Sequence, residues 1–110
     1  MGNLDRLQLL RDFIKEEPEN PFNYYALALE LREKLPEEAS ELFEFLLKNH
    51  PEYLPVYFTA AHFFTESNEI QKAREIFEKG IQLADSQKEE KALKELKNAF
   101  QNFLFEYDLD

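Results

Sequence analysis

The side chains of this sequence that could do chemistry are few, and two histidines are the most suggestive of them. His62 and Glu66 are four residues apart, a spacing that can place an imidazole and a carboxylate on one helix face as two ligands of a divalent metal. No third ligand follows the same spacing, and a surface hydrogen bond is the usual outcome for such a pair. His50 precedes Pro51, where an imidazole near the negative end of a helix dipole has a structural explanation.

Other sources of reactivity are missing or have a structural explanation. The chain has no cysteine, which excludes disulfides, thiolate ligands and cysteine nucleophiles. It has no glycine-rich phosphate loop. Its paired glutamates fall at predicted helix ends in solvent, not opposed across a cavity; they are Glu16 with Glu17, Glu37 with Glu38, and Glu89 with Glu90. We therefore predict no catalytic residue, no cofactor and no metal, and a protein that is not an enzyme.

Composition limits the fold and the class of partner. A chain of 110 residues with two glycines and five prolines fits one all-helical domain. The net charge of −10, from 23 acids and 13 bases, is spread along the chain and is typical of solvated helix faces. No apolar run approaches a membrane span, and the amino terminus lacks the apolar core of a signal peptide. We expect an acidic, cytoplasmic protein with no membrane partner.

The strongest candidate for a nucleic-acid site is a row of four lysines. Phosphate binding needs a basic stripe that releases counterions. Acidic residues interleave this row, so an exposed face with local ion pairs explains it better. We predict no nucleic-acid partner. The row consists of Lys88, Lys91, Lys94 and Lys97, interleaved by Glu89, Glu90 and Glu95.

Helix start and stop signals divide the chain into six predicted helices. Asn20 followed by Pro21 is a cap-then-proline start, and Pro36 opens another helix with two acids behind it. The last segment has one long amphipathic pattern. The first predicted helix ends near Lys15, the second runs from Pro21 to about Glu33, and the third from Pro36 to about Asn49. The fourth begins around Tyr53 to Pro55 and ends before Ser67, and the fifth runs from a cap at Asn68 and Glu69 to about Ala84. The sixth is capped by Asp85 or Ser86.

The sequence also repeats itself with a period in the low thirties, which is typical of stacked helical hairpins. Alanines at fixed offsets would let helices approach closely, and aromatic residues would fill the space between hairpins. The pairs are Tyr24 with Tyr57, Ala28 with Ala61, Ala39 with Ala73, Phe43 with Phe77, and Pro51 with Asp85.

This pattern resembles the tetratricopeptide repeat family, although the family's tryptophan and several glycines are missing. The first helix of each hairpin carries Tyr24, Leu27, Ala28 and Leu31, or Tyr57, Ala60, Ala61 and Phe64. The resemblance implies an all-α, right-handed stack of antiparallel helical hairpins forming a single domain over residues 1–110. We expect a half-repeat or cap helix in 1–18, repeats in 19–51 and 52–85, and a capping helix in 86–110.

The resemblance also implies a groove lined by the first helix of each hairpin. The second predicted helix would then be apolar on both faces, and such a helix is normally covered on both sides. Three candidates could cover it: a ligand segment, a second copy of the chain, or its own carboxy-terminal helix. The predicted groove residues are Phe22, Tyr25, Leu29, Arg32, Phe58, Thr59, His62 and Thr65.

The expected partner follows from these groove residues and from the charge. One subgroup of the family grips an acidic chaperone tail with Lys, Asn and Arg, but Tyr25, Leu29 and Thr59 stand at those places here, and the negative chain would repel such a tail. We predict an interaction module or scaffold that binds an apolar or amphipathic, neutral-to-basic protein segment. The alternative is a homodimeric assembly protein that uses the groove or the last helix for self-association.

Overall fold

The computed structural model describes residues 3–109, which form six α-helices and no strand. Contacts between residues divide the chain into two compact units, one up to Val56 and one from Tyr57 onward. The helices are α1 (Asn3–Glu16), α2 (Pro21–Leu31), α3 (Pro36–Asn49), α4 (Pro55–Glu66), α5 (Ile70–Ser86) and α6 (Glu90–Glu106).

Two helix starts are set by the residues that the sequence indicated. The side chain of Asn20 accepts a hydrogen bond from the Phe22 backbone N–H at 3.1 Å, so it caps α2, with Pro21 in the first turn. Pro36 likewise occupies the first turn of α3, followed by two acids near the positive end of the helix dipole. The predicted bounds of α3 agree with the structure, whereas α2 ends at Leu31, two residues earlier than expected.

The ends of α4, α5 and α6 share one backbone arrangement that the sequence did not indicate. Asn68, Lys88 and Asp108 have φ values of 65°, 59° and 57°, the left-handed conformation in which helices commonly end. The next residue in each case donates its N–H to a carbonyl five residues back, as in Glu69 to Phe64 at 2.8 Å. These are Schellman motifs formed without glycine.

The predicted junctions around these ends were therefore partly wrong. Asn68 ends α4 and does not cap α5, whose N-cap position is Glu69. Asp85 and Ser86 belong to α5, and α6 begins at Glu90. The Ser86 hydroxyl donates a hydrogen bond to the Leu83 carbonyl within its own helix, which explains why it does not cap the next one.

The first unit has its core where α2 packs against both α1 and α3. Leu31 and Phe43 are fully buried, and Ala28 and Ala39 have no exposed surface, which allows close helix approach. Arg11 of α1 forms a bidentate salt bridge with Glu38 of α3, with Nη1 to Oε2 at 2.6 Å and Nη2 to Oε1 at 3.1 Å.

The second unit has an aromatic core in which α5 packs along α6. The ring of Phe77 lies 5.5 Å from the ring of Phe100 and 5.2 Å from that of Phe103. Gly80 of α5 is buried, and a Cβ added there would lie 2.8 Å from the Cβ of Tyr57. Gly80 thus allows the Tyr57 side chain to pack directly on the α5 backbone.

Candidate partner-binding site

The first half of the predicted groove is the α2 stripe, which we define as Phe22, Tyr25, Leu29 and Arg32. Phe22 is 59% exposed and Arg32 is also exposed, while Tyr25 and Leu29 are half-buried. The Tyr25 ring meets the Tyr53 ring edge-on at 5.8 Å. Burial raises the pKa of the Tyr53 phenol, and Tyr25 raises it further. Part of this stripe is therefore already covered by the segment between α3 and α4.

The second half is the α4 stripe, formed by Phe58, Thr59, His62 and Thr65. Phe58 is 40% exposed, and its ring lies 4.5 Å from the His62 ring. The His62 ring also meets Phe77 at 5.8 Å in an edge arrangement. Thr59 is half-buried, and the Thr65 hydroxyl donates to the Ala61 carbonyl at 2.7 Å. The imidazole of His62 thus lies among aromatic rings.

A cleft of about 520 Å³ lies beside the α4 stripe, and α6 forms its other wall. We call it the α4–α6 cleft. Its apolar lining includes Phe58, Phe77 and Phe103, and the Phe103 ring contacts Tyr107 at 5.2 Å. Such a surface suits an apolar side chain of a ligand. The polar lining residues on α6 are Glu95, Asn98, Asn102 and Glu106.

These four polar residues were not among the predicted site residues. They follow one another on α6 at intervals of three, four and four residues, which places them on one helix face. The signal was present as a polar row beside Phe103, but it was indistinguishable from an ordinary solvated face. The α4–α6 cleft brings Phe58, His62 and Thr65 together, and Thr59 does not line it.

Two solved structures of a tetratricopeptide repeat domain protein from Salinibacter ruber resemble this chain. The solution NMR structure is 31% identical in sequence and has a TM-score of 0.73; the aligned region covers 79% of this chain and 89% of the Salinibacter chain. This chain belongs to the tetratricopeptide repeat family. The crystal structure is 29% identical, covers 76% of this chain and 96% of its own, and has a TM-score of 0.71. No family model and no curated protein sequence matches the chain.

These similarities confirm the family and the all-helical repeat fold that were predicted from the sequence. The tetratricopeptide repeat fold is typically non-catalytic and supports a general role in protein–protein interaction. Among residues 3–109, no three His, Asp or Glu side chains are grouped closely enough to hold a metal ion. None of the helices described for this repeat protein has the length and apolar character needed to cross a membrane.

Proposed function

We propose that this tetratricopeptide repeat protein is a non-catalytic interaction module that binds a segment of a partner protein through its α2 and α4 stripes. The α4–α6 cleft is the principal docking position in this proposal. The residues 19–51 and 52–85 serve as the two repeats, and residues 1–18 and 86–110 as flanking helices. The single observation that carries the proposal is Phe58, an aromatic ring 40% exposed at a cleft of about 520 Å³.

The cleft has the makeup of a binding site for an apolar anchor. Phe58 and His62 present ring surface, and the rings of Phe77 and Phe103 lie behind them in the core. Interfaces commonly derive most of their affinity from a few aromatic contacts of this type, surrounded by polar residues that exclude water. The partner segment is therefore expected to insert an apolar side chain beside Phe58.

Substitution of Phe58 by Arg tests the proposal. A random peptide display library is selected on immobilised protein, and peptides enriched by the wild type are measured against Phe58→Arg. We expect binding to be lost, because an arginine removes the ring and fills the cleft entrance. Phe105→Arg is the matched control, since Phe105 is 89% exposed and does not line the cleft; it should retain binding.

Circular dichroism and urea unfolding must accompany this comparison. If Phe58→Arg unfolds the protein, His62→Ala replaces it, because His62 is exposed yet lines the same cleft. Equal binding by wild type and a folded cleft variant would contradict the proposal, as would equal loss in the Phe105 control.

Self-association is a second candidate function, and Phe105 favours it. The Phe105 ring on α6 is 89% exposed, and aromatic rings are enriched in protein–protein interfaces, where a second chain would cover it. Light scattering after size exclusion would give the mass of wild type and Phe105→Arg over a wide concentration range. A dimer that becomes a monomer in the variant would support assembly through α6, whereas a wild-type monomer throughout would exclude it.

A further inference from the structure

We propose that the α4–α6 cleft selects an extended segment carrying two basic residues, about six positions apart, on either side of an apolar anchor. This inference rests on the proposed function and specifies the chemistry of the partner. The charge and spacing of the polar residues on the α6 wall support this inference, and none of these residues belongs to the α2 or α4 stripe.

The two acids of that wall lie at its ends. Glu95 and Glu106 both line the cleft, and eleven residues of α-helix separate their Cα atoms by about 16 Å. Both are exposed, and within residues 3–109 neither carboxylate has a salt-bridge partner. Among the described residues that line the cleft there is no lysine or arginine. The cleft therefore has two unneutralised negative charges at a fixed separation.

The two asparagines between these acids match the repeat of an extended chain. Asn98 and Asn102 are one helical turn apart, so their Cα atoms are separated by about 6 Å along α6. Alternate residues of an extended chain are about 6.6 Å apart. Each asparagine amide can both donate and accept, so the pair can hydrogen-bond to alternate backbone groups of a segment lying along α6.

The opposite wall supplies the anchor position. Phe58 and His62 of α4 line the cleft opposite this polar row, and the buried Phe103 lines it as well. Side chains six positions apart in an extended segment point to the same face and lie about 20 Å apart. Because Lys and Arg side chains are long and flexible, basic residues at the first and seventh positions can lean inward to reach Glu95 and Glu106. The central, fourth residue points to the opposite face and contacts Phe58.

Charge over the whole molecule favours the same partner. The net charge of −10 attracts a basic segment and repels an acidic one. Charges at the rim of an interface mainly determine specificity and association rate. We expect the apolar anchor to supply most of the affinity and the two acids to select the sequence around it.

The test uses the peptide display library and two double variants with the same change in charge. Peptides enriched by the wild type should carry Lys or Arg about six residues apart around an apolar residue. Their dissociation constants are then measured for Glu95→Gln with Glu106→Gln, and for the control Glu41→Gln with Glu75→Gln, whose acids are exposed outside the cleft. We expect the cleft variant to bind roughly two- to thirtyfold more weakly, the range for two exposed ion pairs. The control should change little.

The outcomes separate this inference from the function on which it rests. Enriched peptides that lose binding on Phe58→Arg but contain no paired basic residues would overturn the inference and leave the proposed function standing. Equal weakening in the cleft and control variants would also overturn it, since net charge alone would then explain the effect. If the wild type enriches no peptide that is sensitive to Phe58→Arg, both proposals fail.

Discussion

The α2 stripe and the α4 stripe occupy equivalent positions of the same sequence repeat, yet different neighbouring residues make them different surfaces. Tyr25 and Phe58 occupy equivalent positions 33 residues apart. Tyr25 has the Tyr53 ring against it at 5.8 Å, whereas Phe58 borders a cleft whose other wall is α6. The repeat thus duplicates a stripe of side chains, and the segment that follows each repeat determines whether the stripe becomes a cleft.

The inner faces of the two repeats differ as well. Leu46 and Gly80 are equivalent positions 34 residues apart, and both are buried. In the first unit the tyrosine equivalent to Tyr57 is Tyr24, which is half-buried and donates its hydroxyl to the Pro18 carbonyl at 2.8 Å. In the second unit Tyr57 is only 4% exposed and packs on Gly80. A leucine fills one core, and a tyrosine over glycine fills the other.

Truncation of the equivalent phenylalanines should destabilise the protein more than any other change considered for the two repeats. Phe43 and Phe77 are both buried at the centre of their units. Replacing either by Ala should cost about 3 to 5 kcal/mol of unfolding free energy, from lost burial and the cavity left behind. Urea unfolding would measure both. Phe77→Ala should also remove peptide binding, because its ring contacts His62, Phe100 and Phe103.

Phe43 lies in the first unit, away from the α4–α6 cleft. Phe43→Ala should destabilise the protein by a similar amount while a folded fraction still binds the selected peptides through Phe58. If Phe43→Ala and Phe77→Ala lose binding equally at the same folded fraction, then the two repeats are not distinct in function and the comparison fails.

Gly80→Ala tests which of two opposing effects dominates at the position where the repeats differ most. Helix propensity alone would make alanine more stable than glycine by up to about 1 kcal/mol. The new Cβ would lie 2.8 Å from the Tyr57 Cβ, an atom close to the backbone that cannot move freely. We expect a net loss of about 1 to 3 kcal/mol, as for other overpacked cores.

Urea unfolding of Gly80→Ala alongside Lys79→Ala gives the control, since Lys79 is exposed on the same helix. The double variant Gly80→Ala with Tyr57→Gly should recover part of the loss from the clash, because glycine at position 57 has no Cβ to meet the new one; a double-mutant cycle would measure this recovery. A more stable Gly80→Ala protein would contradict the packing shown for Tyr57.

Sequence reasoning predicted the helices well where local chemistry decides and less well where packing decides. Pro21 and Pro36 start helices through their own fixed φ, and the predicted starts are correct. The end of α4 before Ser67 was also predicted correctly, but the left-handed conformation of Asn68 and Lys88 was not, because it costs energy that only the surrounding hydrogen bonds offset.

The candidate site was predicted only on the side that the repeat defines. Phe58 and His62 could be placed by counting from Tyr57, since the period sets their helix face. The polar wall of Glu95 and Asn98 could not, because α6 departs from the repeat and its rotation about its own axis depends on packing against α5. A row of polar residues is typical of a solvated face until an opposite wall is known.

A weaker effect is expected near the starts of α3 and α5, where equivalent positions of the two repeats carry opposite charges. Glu38 and Lys72 are equivalent positions 34 residues apart. Glu38 forms the bidentate pair with Arg11, whereas the Lys72 Nζ lies 4.9 Å from the centroid of the Phe64 ring. Hydrogen bonds from Arg11, and then its positive charge, lower the pKa of the Glu38 carboxyl.

A carboxyl whose pKa is lower in the folded state stabilises the protein above its unfolded pKa and loses that effect as pH falls through the folded value. In a double-mutant cycle with Arg11→Met and Glu38→Gln, we expect a coupling of at most about 1 kcal/mol at neutral pH, because both groups are partly exposed. The coupling should decline below the ordinary glutamate pKa of about 4.3. Urea unfolding across this range measures the coupling. A double-mutant cycle of Lys72→Met with Phe64→Leu should show no such acid dependence, because it isolates a contact without a carboxylate from the ion pair of Lys72 with Glu69 at 3.9 Å. A coupling that persists unchanged in strong acid would mean that packing of the two side chains, and not their charge, holds α1 to α3.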